Sequence, residues 1–319
     1  MKIYIQAIAS ISPAPGGAGA VAATHQAPPP AAAITSNRLR AIEPDYTTYI
    51  DPKSIRRMSR IVKMGVAAAL QCLKDAEVAV PDAIVTGTAY GCLGDTDIFL
   101  SRLIEQQEEA LSPTAFIQST HNTVGAQIAL MLQCTGYNNT FVHRGFSFES
   151  ALLDAVMLLQ EGEAKTVLTG GLDEITDASH AILERFGLYR QSAAGAGVTA
   201  AAVNGEGATF FLLSSEPSAK GHAILEGLDT FYKPATTAEI ETKINRFLSA
   251  HSLKKEDLGL VLTGANYKHL CGEYPTASAF ALAMAAGALN GAETGNPNRI
   301  LIHNNYLNIH HSLMLVTKC

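Results

Sequence analysis

Residues Phe141–Gly162, FVHRGFSFESALLDAVMLLQEG, are the stretch from which the rest of the chain is read. A short β-prone run, Thr140–His143, breaks at Gly145 and gives way to a helix that is apolar on nearly every side. Ala151, Leu152, Leu153, Ala155, Val156, Met157, Leu158 and Leu159 leave Asp154 and Gln160 as its polar interruptions, the pattern of a buried helix. Lys165–Asp173 (KTVLTGGLD) follows as a second buried strand closing on a glycine pair. Strand, tight turn, helix and strand make a βαβ unit, and its turn holds whatever group stands at the positive end of the helix. The candidates there are Gly145, which has no side chain, and Ser147.

Composition bounds the classes. The 319 residues are 47% hydrophobic and 16% charged, enough for a large core in one domain or two fused halves. Alternating β and α patterns predict an α/β architecture. A net charge of -6 argues against a nucleic-acid binder. Five scattered cysteines without a CxxC pair suit reduced cytoplasmic thiols rather than a disulfide frame. The apolar run Ala277–Leu289 is too short to span a bilayer, and the start, KIYIQAIASI, alternates like a first strand rather than a signal peptide.

Outward from the central unit, 12–34 reads as a long Pro/Gly/Ala-rich loop and 193–203 as a small-residue loop. Pro52–Ala76 reads as one helix with Asp51 as N-cap, followed by a strand Asp82–Thr88 and a helix Asp95–Ala110. Ser112–Gly136 begins as a polar loop and turns helical near Val124, and Thr176–Leu188 is helical. Phe210–Ser215 is a strand after the turn Gly205–Ala208. The pattern restarts near residue 216: strand Ala223–Leu228, helix Thr237–His251, strand Gly259–Thr263, helix Tyr274–Leu289, and strands Arg299–His303 and Ser312–Val316. This restart predicts two related halves, 1–215 and 216–319.

Four stretches resemble the β-ketoacyl synthases of the thiolase superfamily. They are RRMSRIVKMGVAAALQCLKDA (Arg56–Ala76), SPTAFIQSTHNTVGAQIA, TVLTGGLDE and NGEGATFFLL, in that order. Within the family the chain is most similar to the short, degenerate chain-length factors found with aryl polyene, flexirubin and dialkylresorcinol pathways. The resemblance implies a thiolase-like fold: five α-β-α-β-α layers, two pseudo-symmetric halves and a dimer. It also implies a nucleophilic Cys and two His (or His and Asn), and this sequence departs from all three. Counting back from Gly170-Gly171 puts Gly145 at the Cys position. The first His motif reads TGANYKH, with Gly264 in place, and the second reads Gly272-Glu273. HNNYLNIHHS replaces the family's C-terminal glycine-rich loop.

Each candidate has a plainer reading. Ser147 in Gly-Phe-Ser-Phe-Glu resembles a nucleophile elbow, with His121 as a base, but serves equally as a helix cap. Cys271 reads as a buried thiol. His303, His310 and His311 lack a recognisable metal-ligand spacing, so neither metal nor cofactor is expected. Phe116, Thr120, His121 and Asn122 lie in the loop that resembles the family's dimer-crossing, acyl-tunnel segment, and Phe141 and Val142 in its dimer strand. Arg56, Arg57, Arg60 and Lys63 share a helix face, either simply solvated or a dock for an acidic acyl carrier protein. The resemblance thus implies a non-catalytic subunit in the cytoplasm, paired with an active ketosynthase or with itself. The alternative is an acyltransferase or thioesterase using Ser147.

Overall fold

The strand β1 (Ile3–Ile11) runs through the middle of the protein and joins its two halves. The computed structural model describes residues 2–16, 36–109, 113–189, 202–218, 221–290 and 297–319, so most of the loop read at 12–34, and that at 193–203, lies outside the described residues. Along the chain come β2 (Arg38–Leu39), α1 (Pro52–Ile55), α2 (Arg60–Ala76), β3 (Ala83–Gly87), α3 (Leu93–Glu105), α4 (Pro113–Gln118), α5 (Thr123–Leu132), β4 (Tyr137–Phe141), α6 (Ser147–Glu161) and β5 (Thr166–Asp173). Then follow α7 (Asp177–Arg185), β6 (Asn204–Gly205), β7 (Gly207–Ser214), β8 (Ala223–Tyr232), α8 (Thr237–Ala250), β9 (Leu260–Thr263), α9 (Gly264–Cys271), α10 (Ala277–Asn290), β10 (Arg299–Tyr306) and β11 (His310–Thr317).

Nine strands form one sheet in the order β4-β3-β5-β7-β1-β8-β11-β10-β9, and β2 pairs separately with β6. Side-chain alternation sorts the sheet's residues into three cores. Val85, Val167, Leu213, Ile300, Ile302 and Met314 face a common core with the buried faces of α6 and α10. The intervening Ile84, Leu168 and Leu212 face α2 on one outer side. Leu301, Leu313 and Leu315 face α8 on the other. The layers therefore run α2, sheet, α6 with α10, sheet, α8, the α/β thiolase-like arrangement that the resemblance implies. Phe148, Leu152 and Leu159 of α6 are almost wholly buried, each contributing roughly 2 kcal/mol of burial. A bulge between Ile5 and Ala7 adjusts β1 to both halves: Ile3 and Ile5 face the central core, Ala7 and Ala9 the outer one.

Reading outward from the antiparallel β1–β8 contact (Ile3↔Leu225, Tyr4↔Ile224, Ile5↔Ala223), the two halves repeat one plan. On one side lie β7, β5, β3 and β4; on the other β11, β10 and β9. The second side has no described counterpart of β4, and α9 passes almost directly into α10.

Several expected bounds are corrected. The single helix over 52–76 is two: Asp51 caps the four-residue α1 through Lys53 N and Ser54 N, and α2 begins only at Arg60. HNNYLNIHHS is mostly ladder, with Asn304↔Ser312, Asn305↔His311 and Tyr306↔His310 facing across a hairpin. The helix expected from Tyr274 starts at Ala277, and α9 was not foreseen. β4 ends at Phe141, so Val142 lies beyond the ladder, half exposed. Among the described residues β4 pairs with β3 alone and forms the edge of the sheet.

Candidate functional site

Gly145 sits buried at the head of α6, after Arg144, whose φ of 51° gives the turn its sharpness. A Cβ at Gly145 would stand 2.6 Å from Tyr306 Cδ1 and 2.9 Å from His310 Cβ and Cγ. The β10–β11 hairpin thus fills the space where a nucleophile's side chain would stand. His310 also packs edge-on against Phe146, ring centres 4.7 Å apart, and burial lowers its pKa, with His143, Arg144 and Lys233 adding to the effect.

Ser147 is not a free nucleophile. Its Oγ is fully buried, donates to Arg144 O at 2.8 Å and accepts from His143 N at 2.9 Å, closing the turn. No imidazole hydrogen-bonds it among the described residues, and His121 instead packs its ring against Gly91. The alternative acyltransferase or thioesterase reading loses its nucleophile.

At the other positions that the resemblance assigns to catalysis, structural polar groups stand. Gly264 opens α9 behind a cap in which Asn266 Oδ1 accepts from Thr263 N (2.8 Å). Glu273 is buried and held by Lys268 Nζ at 2.7 and 2.9 Å, and the same ammonium reaches Asn305 O at 2.5 Å. Burial raises the Glu273 carboxyl, and Lys268 opposes the shift. The Tyr306 hydroxyl lies 3.5 Å from that of Tyr90, with burial pushing the Tyr306 phenol up. Cys271 is buried with its thiol pushed up by desolvation, hence inert.

Sequence reasoning missed Glu149, one turn into α6. Its Oε1 accepts from Ser312 Oγ (2.7 Å) and Asn304 Nδ2 (3.4 Å), and Tyr267 OH donates to Asn304 Oδ1 (2.6 Å). The available signal was a carboxylate on the buried face of an apolar helix. Asp173 and Glu174, which end and follow β5, are also buried. Asp173 accepts from Thr88 Oγ1, Ala89 N, Tyr90 N and Thr276 Oγ1. Desolvation lifts Asp173 to about 6 and Glu174 to about 7. Both line a cavity of about 190 Å³, walled by Tyr90, Leu93, Ile182 and Tyr189.

The four basic residues do not act together. Arg56 and Arg57 are exposed and Lys63 lies 5.6 Å above the Tyr46 ring, but Arg60 turns inward. Its guanidinium grips buried Glu206 with two bonds of 2.7 Å and reaches Glu43 at 2.5 Å. Glu206 also accepts from Ala41 N and Ile175 N, both at 2.8 Å. Arg60 is a structural clasp and leaves the docking cluster.

Phe116 is exposed and touches Phe99, ring centres 5.2 Å apart, while Thr120 Oγ1 bonds Thr123 Oγ1 at 2.9 Å ahead of α5. Asn122 precedes α5 without capping it through its side chain. Leu130, Tyr137 and Val142 expose apolar surface on and beside β4, and Ile104, Phe116 and Ile117 do so on α3 and α4. His303 Nε2 lies 3.1 Å from His311 Nδ1, and no group of three or more His, Cys, Asp or Glu among the described residues is arranged to hold a metal. No helix among them is long and apolar enough to cross a membrane.

Comparison with known proteins agrees with this fold. A 3-oxoacyl-[acyl-carrier-protein] synthase 2 from Synechocystis sp. is 28% identical over 144 residues, 43% of this chain and 35% of that protein. The namesake from Staphylococcus aureus (strain N315) is 24% identical over 131 residues, 39% of this chain and 32% of that protein. The chain therefore matches only about a third of the length of these relatives. Two solved structures share the fold across the whole chain. The ishigamide ketosynthase/chain length factor has a TM-score of 0.76 at 16% identity, covering 100% of this chain and 99% of that one. The ketosynthase ApeO in complex with its chain length factor ApeC, from Xenorhabdus doucetiae, has 0.72 at 14%, covering 100% and 98%. Residues 33–225, more than half of the chain, match the family model described as beta-ketoacyl synthase, N-terminal domain, and the chain belongs to the β-ketoacyl synthase family.

Proposed function

We propose that this chain is a non-catalytic, ketosynthase-like subunit of the chain-length-factor kind, assembling with an active ketosynthase in type II fatty acid or polyketide synthesis. The observation that carries the reading is the filled turn: Tyr306 and His310 occupy the volume beside Gly145, and a Lys268–Glu273 pair stands where the second His would be. Nucleophile, acid and base act as a unit in such chemistry, so their joint replacement leaves no partial route. The ishigamide ketosynthase/chain length factor and the ApeO–ApeC complex share the fold, which supports an assembled role. The exposed apolar surface at the β4 end suits burial against a ketosynthase partner, or a second copy, with 116–123 reaching toward its tunnel. Arg56, Arg57 and Lys63 suit an acidic acyl carrier protein. The two halves divide at residues 215/216, and the assembly works in the cytoplasm without a cofactor.

The test is condensation of acyl and malonyl carrier-protein thioesters. The isolated chain is expected to form no carbon–carbon bond, whereas its complex with a copurifying ketosynthase condenses. Turnover by the pure chain alone overturns the reading.

A further inference from the structure

The two sides of the sheet repeat one plan until their last strand. Outward from the β1–β8 contact, β3 on the first side stands where β9 stands on the second, and each runs parallel to its inner neighbour. β3 is buried along its whole length, because β4 lies against its outer edge in a parallel ladder from Ala83↔Tyr137 to Gly87↔Phe141. β9 pairs with β10 alone among the described residues. In the first half β4 enters the chain just before the core helix α6. The matching place before α10 holds only residues 272–276, where Glu273 bridges Asn204 instead of β9.

The outer edge of β9 is suited to pairing. Gly259 N donates to Arg299 O at 3.0 Å, so Gly259 and Val261 turn their backbone groups to β10. By alternation Leu260 and Leu262 turn their N–H groups to the open edge. Val261 is 41% exposed although it lies within the strand. The sequence Leu-Val-Leu-Thr carries none of the charge, proline or bulge that keeps edge strands from pairing. Lys254, Lys255, Glu256 and Asp257, exposed just before it, balance in sign, so the approach favours no charge on an incoming chain.

We infer that the β9 edge takes one extended, uncharged strand of another polypeptide, laid parallel to β9 as β4 lies on β3. Main-chain hydrogen bonds to Leu260 and Leu262 would hold it, with the exposed face of Val261 as an apolar neighbour. The site lies at the opposite end of the sheet from β4 and so does not depend on the assembly proposed there.

Fluorescence anisotropy of a labelled peptide with the β4 sequence, GYNNTFVH (136–143), titrated with the purified chain, tests the edge. Phe141 O accepts from Thr88 N, so Tyr137, Asn139 and Phe141 turn their backbone groups toward the host strand and Asn138 and Thr140 away. The peptide is expected to bind saturably. N-methylation at Asn139 should weaken binding about tenfold or more, and N-methylation at Asn138 should leave it unchanged. Val261→Lys, at an exposed position, should weaken binding by about the same factor at unchanged dichroism. Amide exchange at Leu260 and Leu262 should slow when the peptide binds. No saturable binding, equal effects of the two N-methylations, or wild-type affinity in Val261→Lys overturns the inference. Slow exchange at Leu260 and Leu262 in the chain alone also overturns it, the edge then being covered by the chain itself or by a second copy.

Discussion

The two halves of the sheet share a plan and differ in what lies at their outer ends. Beyond β3 the first half adds β4, an edge strand flanked by exposed apolar side chains. Beyond β9 the second half adds no described strand, and five residues, Gly272–Thr276, link α9 to α10. The polar chemistry differs in parallel. In the first half Glu206 is gripped by two backbone amides and a bidentate arginine, a fully paired clasp. At the join with the second, Glu149 keeps an oxygen without a hydrogen-bond partner among the described residues, and the Glu273 carboxylate relies there on one lysine. Tyr306 and His310 of the second half close over Gly145 of the first.

If the first-half clasp is what holds α2 to the loops around it, Arg60→Ala is the largest single blow. Removing one partner of a buried pair costs about 3–5 kcal/mol, read as a lower denaturation midpoint at unchanged m-value. A loss below about 1 kcal/mol would make the clasp incidental.

The buried acids give a pH signature. Burial raises Glu174 to about 7 and Asp173 to about 6, above their ordinary values. Protonated forms therefore stabilise the fold at low pH, and that contribution is lost as pH rises through 6 and 7. The melting temperature should fall between pH 5 and pH 8 from this source, and Glu174→Gln should flatten the fall. An identical slope in the variant would place the titration elsewhere.

At the filled turn, Gly145→Cys tests whether the second half has closed the centre for good. The new Cβ meets Tyr306 and His310 at 2.6 and 2.9 Å, so overpacking should cost about 1–3 kcal/mol. No condensing activity should appear. A stable and active variant would show that the hairpin yields.

The smallest effect on stability, with the clearest effect on assembly, is expected of Asn138→Pro. Phe141 O accepts from Thr88 N, so by alternation Asn138 and Thr140 turn their backbone groups to the free edge. Proline at 138 spares the β3–β4 ladder, removes an outward donor and gives up the Asn138 Nδ2–Gly125 O hydrogen bond of 3.0 Å. Size-exclusion chromatography should show a folded monomer with unchanged dichroism. A persisting dimer would move the interface away from β4.

Much of this fold was legible because its elements announce themselves locally. α6 is an apolar run, β5 is β-branched up to its glycines, and β1 alternates. The inner ends of the β10–β11 hairpin were hidden because Asn304, His310 and His311 read as loop residues, yet they are buried strand positions whose polar groups lie within the core. α9, with Asn266, Lys268 and His269 among its eight residues, lacks a strong apolar stripe. Arg60, the first residue after the break, turns inward to distant Glu206, a partner that no local pattern encodes. Of the site, the empty Gly145 could be counted off from Gly170-Gly171. What fills it comes from the far end of the chain and required the fold. Arg60 shows the converse error: a helix face drawn from spacing alone takes no account of a buried acid on its other side.

The bulge in β1 carries one more consequence. Because it shifts the strand's phase between Ile5 and Ala7, the first eleven residues act as a reading frame for the sheet. Ile3 and Ile5 address the inside, Ala7 and Ala9 the outside, and an extra residue exchanges the two addresses downstream, whereas loss of Gln6, the unpaired residue of the bulge, restores regular pairing and keeps both. The strand should therefore tolerate conservative substitutions, and the loss of Gln6, far better than a single-codon insertion. In a library that mixes them, insertions between Ala7 and Ile11 should be the ones that vanish.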